Sequence, residues 1–285
     1  MGDGSNLLLK ETIGNQIGFR SKMGIMTPLP HALEENISLF AELSQKKAAL
    51  FLDFDGTLSP LVDHPSQVVL SEAIRDTLRT LAKKITVTIL SGRSRDEVEA
   101  LIKIPELFYG GVHGLDIKGP GLIKIYDGVL PMLPVLKEAR EFFQKEMEKF
   151  PGAWIEEKKY GLAFHYRPMG PALIPRLKKQ IESYAKAHPQ LKMTSGKQLF
   201  ELRPNVEWDK GSATLFLLKA LHLDGPTVLP IFLGDDETDE DVFRVLKNRG
   251  WGILVDARPG KTSARAYLRT TDEVELFLKR LLQSV

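Results

Sequence analysis

Cysteine is absent from all 285 residues. That one absence excludes disulfide scaffolds, zinc–thiolate sites, iron–sulfur clusters and thiol nucleophiles. An excess of charge of either sign is missing too: 39 basic residues face 37 acidic ones, a formal net of +2. So balanced a chain has no global field to gather nucleic acid or anionic lipid. Its basic residues are scattered, as at Lys158-Lys159 and Lys178-Lys179, and form no aromatic-interleaved stripe. Neither nucleic acid nor membrane is expected as a partner. No apolar run approaches the roughly 20 residues that span a bilayer. The opening MGDGSNLLLK has too short a leucine run for a signal-peptide core, and Asn6 stands where a myristoylation motif wants Ser or Thr, so a cytoplasmic location is the expectation. The six histidines include no H-E-x-x-H pair, which argues against a zinc site.

What is present is ordinary for a globular chain, 43% hydrophobic and 27% charged. Chains of this length bury about three quarters of their unfolded surface and need no staple. The length fits one large domain or two modest ones. Residues 1–30 are Gly-rich and weakly periodic and read as a flexible arm. A helical pattern follows over 31–44. Short apolar runs at 48–53, 85–90, 108–112, 229–233 and 251–255 have the character of strands buried on both faces of a parallel sheet. Helical patterns at 71–83, 94–102 and 212–221 lie between them, which predicts βαβ units and a doubly wound, Rossmann-like α/β core.

The middle of the chain changes character. Expected strands at 122–126, 153–157, 162–166, 191–194 and 198–202 are interleaved with expected helices at 133–150 and 172–187. Leu199, Glu201 and Arg203 fall on one strand face, Phe200 and Leu202 on the other. One-sided, hairpin-linked strands with two helices suggest a smaller α+β domain inserted as a cap over 114–206, between core segments 31–113 and 207–285.

Polar clusters stand at the carboxyl ends of the expected core strands, where open α/β sheets bind ligands. The first strand runs into Asp53-Phe54-Asp55-Gly56-Thr57, the second into Ser91-Gly92-Arg93, and the fourth into Gly234-Asp235-Asp236-Glu237-Thr238-Asp239. In extended chain, Asp53 and Asp55 point the same way, and two such carboxylates need a cation or a shared proton between them. An all-oxygen set of this kind suits Mg²⁺. Thr57, Ser91 and Lys210, the last in a turn ahead of a helical pattern, are of the right type to cradle a phosphoryl group. Each cluster alone has a bland reading as a solvated turn or helix cap. Neither acidic run is an EF-hand, since His64 and Leu246 stand where the final Glu is required. Gly260-Lys261-Thr262 is no P-loop, because Val255 replaces its first glycine.

Together, Asp53-Phe-Asp55-Gly-Thr57-Leu, Ser91-Gly, Lys210-Gly and Gly-Asp235-Asp236-x-x-Asp239 resemble the four ordered motifs of the haloacid dehalogenase-like phosphohydrolases. Within that superfamily LFLDFDGTLSP (50–60), ILSGR (89–93), GVHGLDIKGPG (111–121), GLAFHYR (161–167), FELRP (200–204), DKG (209–211) and GDDETDED (234–241) are similar to the trehalose-6-phosphate phosphatase family. The resemblance implies Mg²⁺-dependent hydrolysis of trehalose 6-phosphate through an aspartyl-phosphate. Asp53 would be the nucleophile and Asp55 the acid and base. Mg²⁺ would be held by Asp53, the Asp55 backbone carbonyl and Asp235, with Asp236 or Asp239 open as the further acidic partner. Thr57, Ser91 and Lys210 would bind phosphate. His113, Lys197, Glu201 and Arg203 would contact the sugar. Without a fused glycosyltransferase domain, coupling to a trehalose-phosphate synthase would be in trans. Phosphatases of sucrose phosphate or mannosyl-3-phosphoglycerate, and a sugar-phosphate sensor without turnover, are the alternatives.

Overall fold

The computed structural model describes residues 29–35, 37–62, 67–196 and 198–285. The expected arm therefore lies, except for its last two residues, outside the described part. Eight strands form one sheet: β1 (Lys47–Leu52), β2 (Thr86–Leu90), β3 (Phe108–Gly111), β4 (Asp116–Gly119), β5 (Leu122–Ile125), β10 (Val228–Gly234), β11 (Trp251–Val255) and β12 (Ala266–Leu268), in the order β12-β11-β10-β1-β2-β3-β4-β5. The six strands from β12 to β3 pair in parallel, whereas β4 and β5 are antiparallel additions at one edge. The remaining four, β6 (Trp154–Lys158), β7 (Gly161–His165), β8 (Leu191–Gly196) and β9 (Leu199–Pro204), make a separate antiparallel sheet in the order β6-β7-β9-β8.

The apolar runs follow from double-sided burial. Ala48, Leu50 and Leu52 of β1 point into one core, which includes Ile74 and Leu78 of α2 (Glu72–Ala82), Val98 and Ile102 of α3 (Arg95–Ile102), and Phe277 and Leu281 of α8 (Thr271–Ser284). Ala49 and Phe51 point into the other, with Ala213 and Leu217 of α6 (Lys210–Ala220) and Phe243 of α7 (Glu240–Leu246). At about 25 cal/mol per Å² of apolar surface, each fully buried Leu or Phe contributes about 1.5–3 kcal/mol, so a polar residue at any of these positions is costly. Helix starts are written locally. Ser71 accepts from the Ile74 amide, and Ser94 with Glu97 forms a capping box on α3.

In the smaller sheet Phe164, Phe200 and Leu202 pack beneath α4 (Leu133–Glu146) and α5 (Ile174–Ala187), through Phe143, Leu177 and Ile181. Both helices carry proline in their first turn, where the missing N–H costs nothing. The other sheet face is left to the polar members of the alternation: Glu156, Lys158, Glu201 and Arg203.

Three sequence expectations are corrected. The strand expected at 122–126 to open the inserted segment pairs with β4 in the core sheet, so residues 116–125 extend the core and the four-stranded sheet begins only at Trp154. A short antiparallel strand has the same alternation wherever it pairs, which is why periodicity alone misplaced it. The helix expected at 31–44 shrinks to α1 (Ser38–Leu43), because the preceding residues close the sheet edge: Ala32 N–H donates to Tyr267 at 2.8 Å and Tyr267 N–H to the Pro30 carbonyl at 3.0 Å. Lys210, read as part of a turn, is the first residue of α6, since Asp209 caps the helix by accepting from the Ser212 amide at 2.6 Å.

Candidate active site

β1 leads to β2 on one side and lies beside β10 on the other, so the strand order reverses at β1/β10. Asp53 leaves β1 and Asp235 leaves β10 at that reversal, and Asp53 N–H donates across it to the Leu233 carbonyl at 2.9 Å. Carboxylate oxygens of Asp53, Asp235 and Asp239 lie within 4.8 Å of one another. Lys210, only 1% exposed, inserts its Nζ between Asp53 and Asp239, 2.7 Å from each. A cation in the first turn of a helix opposes the helix dipole. Here the two buried anions offset that cost.

Charge does not balance within the cluster. Three carboxyl groups share one ammonium. Burial, followed by repulsion from Asp239 and Asp236, pushes the Asp235 carboxyl up to about 7. Burial also raises Asp53, outweighing the attraction of Lys210. Lys210 is raised in turn, since Asp53 and Asp239 outweigh its own burial, and it stays protonated. Fully ionised, the three carboxylates outnumber the one ammonium, and that excess on oxygen donors is what a hard divalent cation would neutralise.

The neighbours are already committed. Both oxygens of Asp239 accept, one from Lys210 and the other from the backbone amides of Asp235 and Asp236 at 2.9 and 3.1 Å. Asp236 turns aside to accept from the Thr238 amide and hydroxyl at 2.8 and 2.7 Å. Burial would raise its carboxyl, but Lys210 and the Thr238 bonds win and lower it. Thr57, fully buried, donates to Asp235 Oδ1 at 3.1 Å. Gly56 has φ +89°, and a Cβ there would come 2.1 Å from Asp235 Oδ2, so the Asp-x-Asp-Gly-Thr turn admits only glycine beside that carboxylate. Ser91 leaves the neighbouring strand β2, buried, with its Oγ accepting from the Arg93 amide at 3.1 Å.

Asp55 sits above this floor, gripped by Arg93: Nε donates to Oδ2 at 2.6 Å and Nη2 to Oδ1 at 2.7 Å. That bidentate pair fixes the orientation of the carboxylate. Arg93 was visible in the Ser-Gly-Arg motif but received no role of its own, because side-chain reach across two strands has no sequence signature.

Next to the acidic floor opens a cleft with about 310 Å³ of empty space, lined by Gly92, His113, Lys158, Tyr160, Glu201 and Arg203. Val112, His113 and Gly114 have φ of +50°, +58° and +87°. For a β-branched residue such a value is an outlier, and here the turn is held by Val112 N–H to Arg93 and His113 N–H to Ser91, at 2.8 and 2.9 Å. The strain aims the imidazole at Gly92, whose Cβ, if present, would stand 3.1 Å from the ring. Burial, then Lys210 and Arg203, push His113 down to about 4, so it is neutral. His113 Nδ1 and Arg203 Nε are buried without a hydrogen-bond partner among the described residues. Both atoms belong to residues that line the cleft. Glu201 is paired with Lys158, a residue that sequence reasoning missed although its parity on β6 places it on the polar face. Burial would raise the Glu201 carboxyl, but the pairing with Lys158 and the nearby Arg203 win and lower it. Lys197 lies outside the described residues.

The family model described as Trehalose-phosphatase matches residues 51–273, from the first acidic strand to the last helix. The chain belongs to that family. Trehalose 6-phosphate phosphatase RA3 of Zea mays is 39% identical over 268 residues, covering 88% of this chain and 74% of the relative. Among solved structures, a trehalose-6-phosphate phosphatase related protein superposes with a TM-score of 0.71 at 26% identity, covering 82% of this chain and 97% of that one. A haloacid dehalogenase-like hydrolase from Bacteroides thetaiotaomicron shares the fold at a TM-score of 0.59 and 20% identity, over 83% of this chain and all of that one. The trehalose-phosphatase match spans both the acidic floor and the four-stranded sheet above it. No described helix is long and apolar enough to cross a membrane.

Proposed function

We propose that this trehalose-phosphatase is a phosphoric monoester hydrolase that converts trehalose 6-phosphate to trehalose and phosphate. The observation that carries the reading is the juxtaposition of the Asp53–Lys210–Asp235 floor with a cleft whose walls hold polar groups without partners of their own.

Asp53 is the nucleophile in this reading. Its carboxylate attacks phosphorus, the bond to the sugar oxygen breaks, and the aspartyl-phosphate is then cleaved by water, which returns Asp53 and releases phosphate. Lys210, held 2.7 Å from Asp53, orients the attacking carboxylate and neutralises phosphoryl charge, with Ser91 at the end of the next strand completing the cradle. Thr57, assigned from sequence to the phosphate, supports the reading better as the group that orients Asp235. Asp55 protonates the departing sugar oxygen and later takes a proton from water. Its grip by Arg93 suits the second role directly, and the first requires the pair to open as substrate enters.

The donor set fits Mg²⁺: buried oxygen ligands, surplus negative charge and a single balancing lysine. Asp53, Asp235 and the Asp55 backbone carbonyl would hold it. Asp239 is better read as the residue that fixes the Asp235 turn, because both of its oxygens are already used. When bound, Mg²⁺ supplies charge neutralisation on the transferring phosphoryl group. His113, Glu201 and Arg203 face the sugar, joined by Lys158, and Lys197 is proposed with them from its place in the sequence.

The test is phosphate release from trehalose 6-phosphate, sucrose 6-phosphate and mannosyl-3-phosphoglycerate, with and without Mg²⁺, using Asp53→Asn as blank. Release from the trehalose ester, dependent on Mg²⁺ and lost in the variant, is expected. Preference for another ester would redirect the sugar contacts, and normal turnover by Asp53→Asn would remove the nucleophile assignment.

A further inference from the structure

Lys159 and Tyr160 form the tip of the hairpin between β6 and β7, and the cleft is lined by the residues around that tip: Lys158 on one side, Tyr160 and Gly161 on the other. A two-residue tip at the end of a small sheet can lean freely unless something outside that sheet holds it. Asp116, on β4 of the core sheet, does so. Its residue is 2% exposed, Oδ2 accepts from Lys159 Nζ at 2.6 Å, and Oδ1 accepts from Arg95 Nε at 3.0 Å. Arg95 is fixed in its turn at the start of α3, 2.9 Å from Glu99, and Lys118 on β4 donates to the same Glu99 at 2.7 Å. Beside the ion pair, the Tyr160 ring packs with Leu115 and Val129 against the stacked Tyr126 and Trp208, whose centroids are 4.5 Å apart.

Two consequences follow from chemistry. A buried carboxylate held between two cations is costly to assemble, and an apolar pair would join the two sheets at least as well if stability were its only task. What an ion pair adds is fixed geometry, and the geometry fixed here is that of the tip beside Lys158. We propose that Asp116 is a positioning residue for sugar recognition: through Lys159 it seats the β6–β7 tip so that Lys158 meets Glu201 in the cleft beside His113 and Arg203. This rests on the reading that the cleft takes the sugar of trehalose 6-phosphate. Asp116 itself touches neither the sugar nor the phosphoryl group. Its loss therefore weakens sugar binding and leaves the phosphoryl chemistry intact.

The experiment compares the full chain with Asp116→Asn, Lys159→Met and the double variant, in saturating Mg²⁺. Three constants are read: KM and kcat for trehalose 6-phosphate, and inhibition by orthovanadate, a probe of the phosphoryl site alone. Loss of a charge-assisted bond predicts KM raised about tenfold in Asp116→Asn, with kcat within about twofold and vanadate inhibition unchanged. Because Lys159 acts through Asp116, the double variant is no worse than Asp116→Asn. A parallel fall in kcat, weaker vanadate inhibition, an unchanged KM, or effects that multiply in the double variant would each overturn the assignment. Failure of the substrate reading looks different. The unmodified chain would then release phosphate from another glycosyl ester, on which the same split between KM and kcat is measured.

Discussion

Lys210→Met is the most informative single change, because one atom of this lysine neutralises two buried carboxylates. Nζ lies 2.7 Å from Asp53 and from Asp239, and the carboxylate cluster spans no more than 4.8 Å. Methionine fills nearly the same volume, so the change isolates charge from packing. Removing one partner of a buried ion pair costs about 3–5 kcal/mol, since the remaining charge is left without solvent or counter-charge. In a chain of this size each kcal/mol lowers the melting temperature by about 2–4 °C, so a fall on the order of 10 °C is expected for the metal-free protein. Lys219→Met is the control: this lysine is exposed on the same helix, and its loss is expected to stay within about 0.5 kcal/mol. Mg²⁺ binds the same surplus of negative charge and restores part of the lost stability, more in the variant than in the parent. Phosphate release is expected to fall at least a hundredfold, as with the loss of a preorganised charge beside the proposed nucleophile. The assay is thermal denaturation in EDTA and in Mg²⁺, alongside turnover. A melting temperature within about 2 °C of the parent in EDTA would show that the carboxylates do not depend on Lys210.

The other predictions are narrower. Gly56→Ala places a Cβ 2.1 Å from Asp235 Oδ2 at a φ of +89°; turnover is expected to drop about a hundredfold through a displaced carboxylate, read as kcat at saturating Mg²⁺. His113, held near 4 where an unfolded histidine titrates near 6.5, binds its proton later on acidification when folded, so stability falls as pH drops through 6.5 towards 4. Between pH 7 and 5 that linkage amounts to at most about 2 kcal/mol, and it should vanish in His113→Gln, measured by urea denaturation at the two pH values. Glu201→Gln weakens the pair with Lys158 and is expected to raise KM for trehalose 6-phosphate about tenfold with little change in kcat. An unchanged KM in that variant would remove Glu201 from the sugar site.

Local order was legible because its causes are local. Burial on both faces of the parallel strands wrote apolar runs at β1, β2, β10 and β11, and the caps of α2 and α3 stand in the sequence as Ser71 and as Ser94 with Glu97. The proposed catalytic set could be picked out in the sequence for a related reason. Each member sits at the carboxyl end of a strand or the start of a helix, so its spacing within Asp-x-Asp-Gly-Thr or Gly-Asp-Asp-x-x-Asp is fixed by the backbone it belongs to. The membership of β5 was not, since alternation tells a strand which face to bury and not which neighbour to pair with.

Residue types and their order were thus enough to determine a doubly wound core, a surplus of carboxylate at its switch point and a one-sided sheet above it. Only the tertiary structure decided which of those carboxylates is committed. Asp239 spends both oxygens on Lys210 and two amides, Thr57 donates to Asp235, and Arg93 grips Asp55 from the next strand. It alone joined Asp116 to Lys159 across 43 residues, and Lys158 to Glu201 across the same distance in sequence. The reason is the range of the forces: periodicity and capping act within one turn or one strand, whereas an ion pair has no preferred sequence separation and exists only where two elements have been packed together.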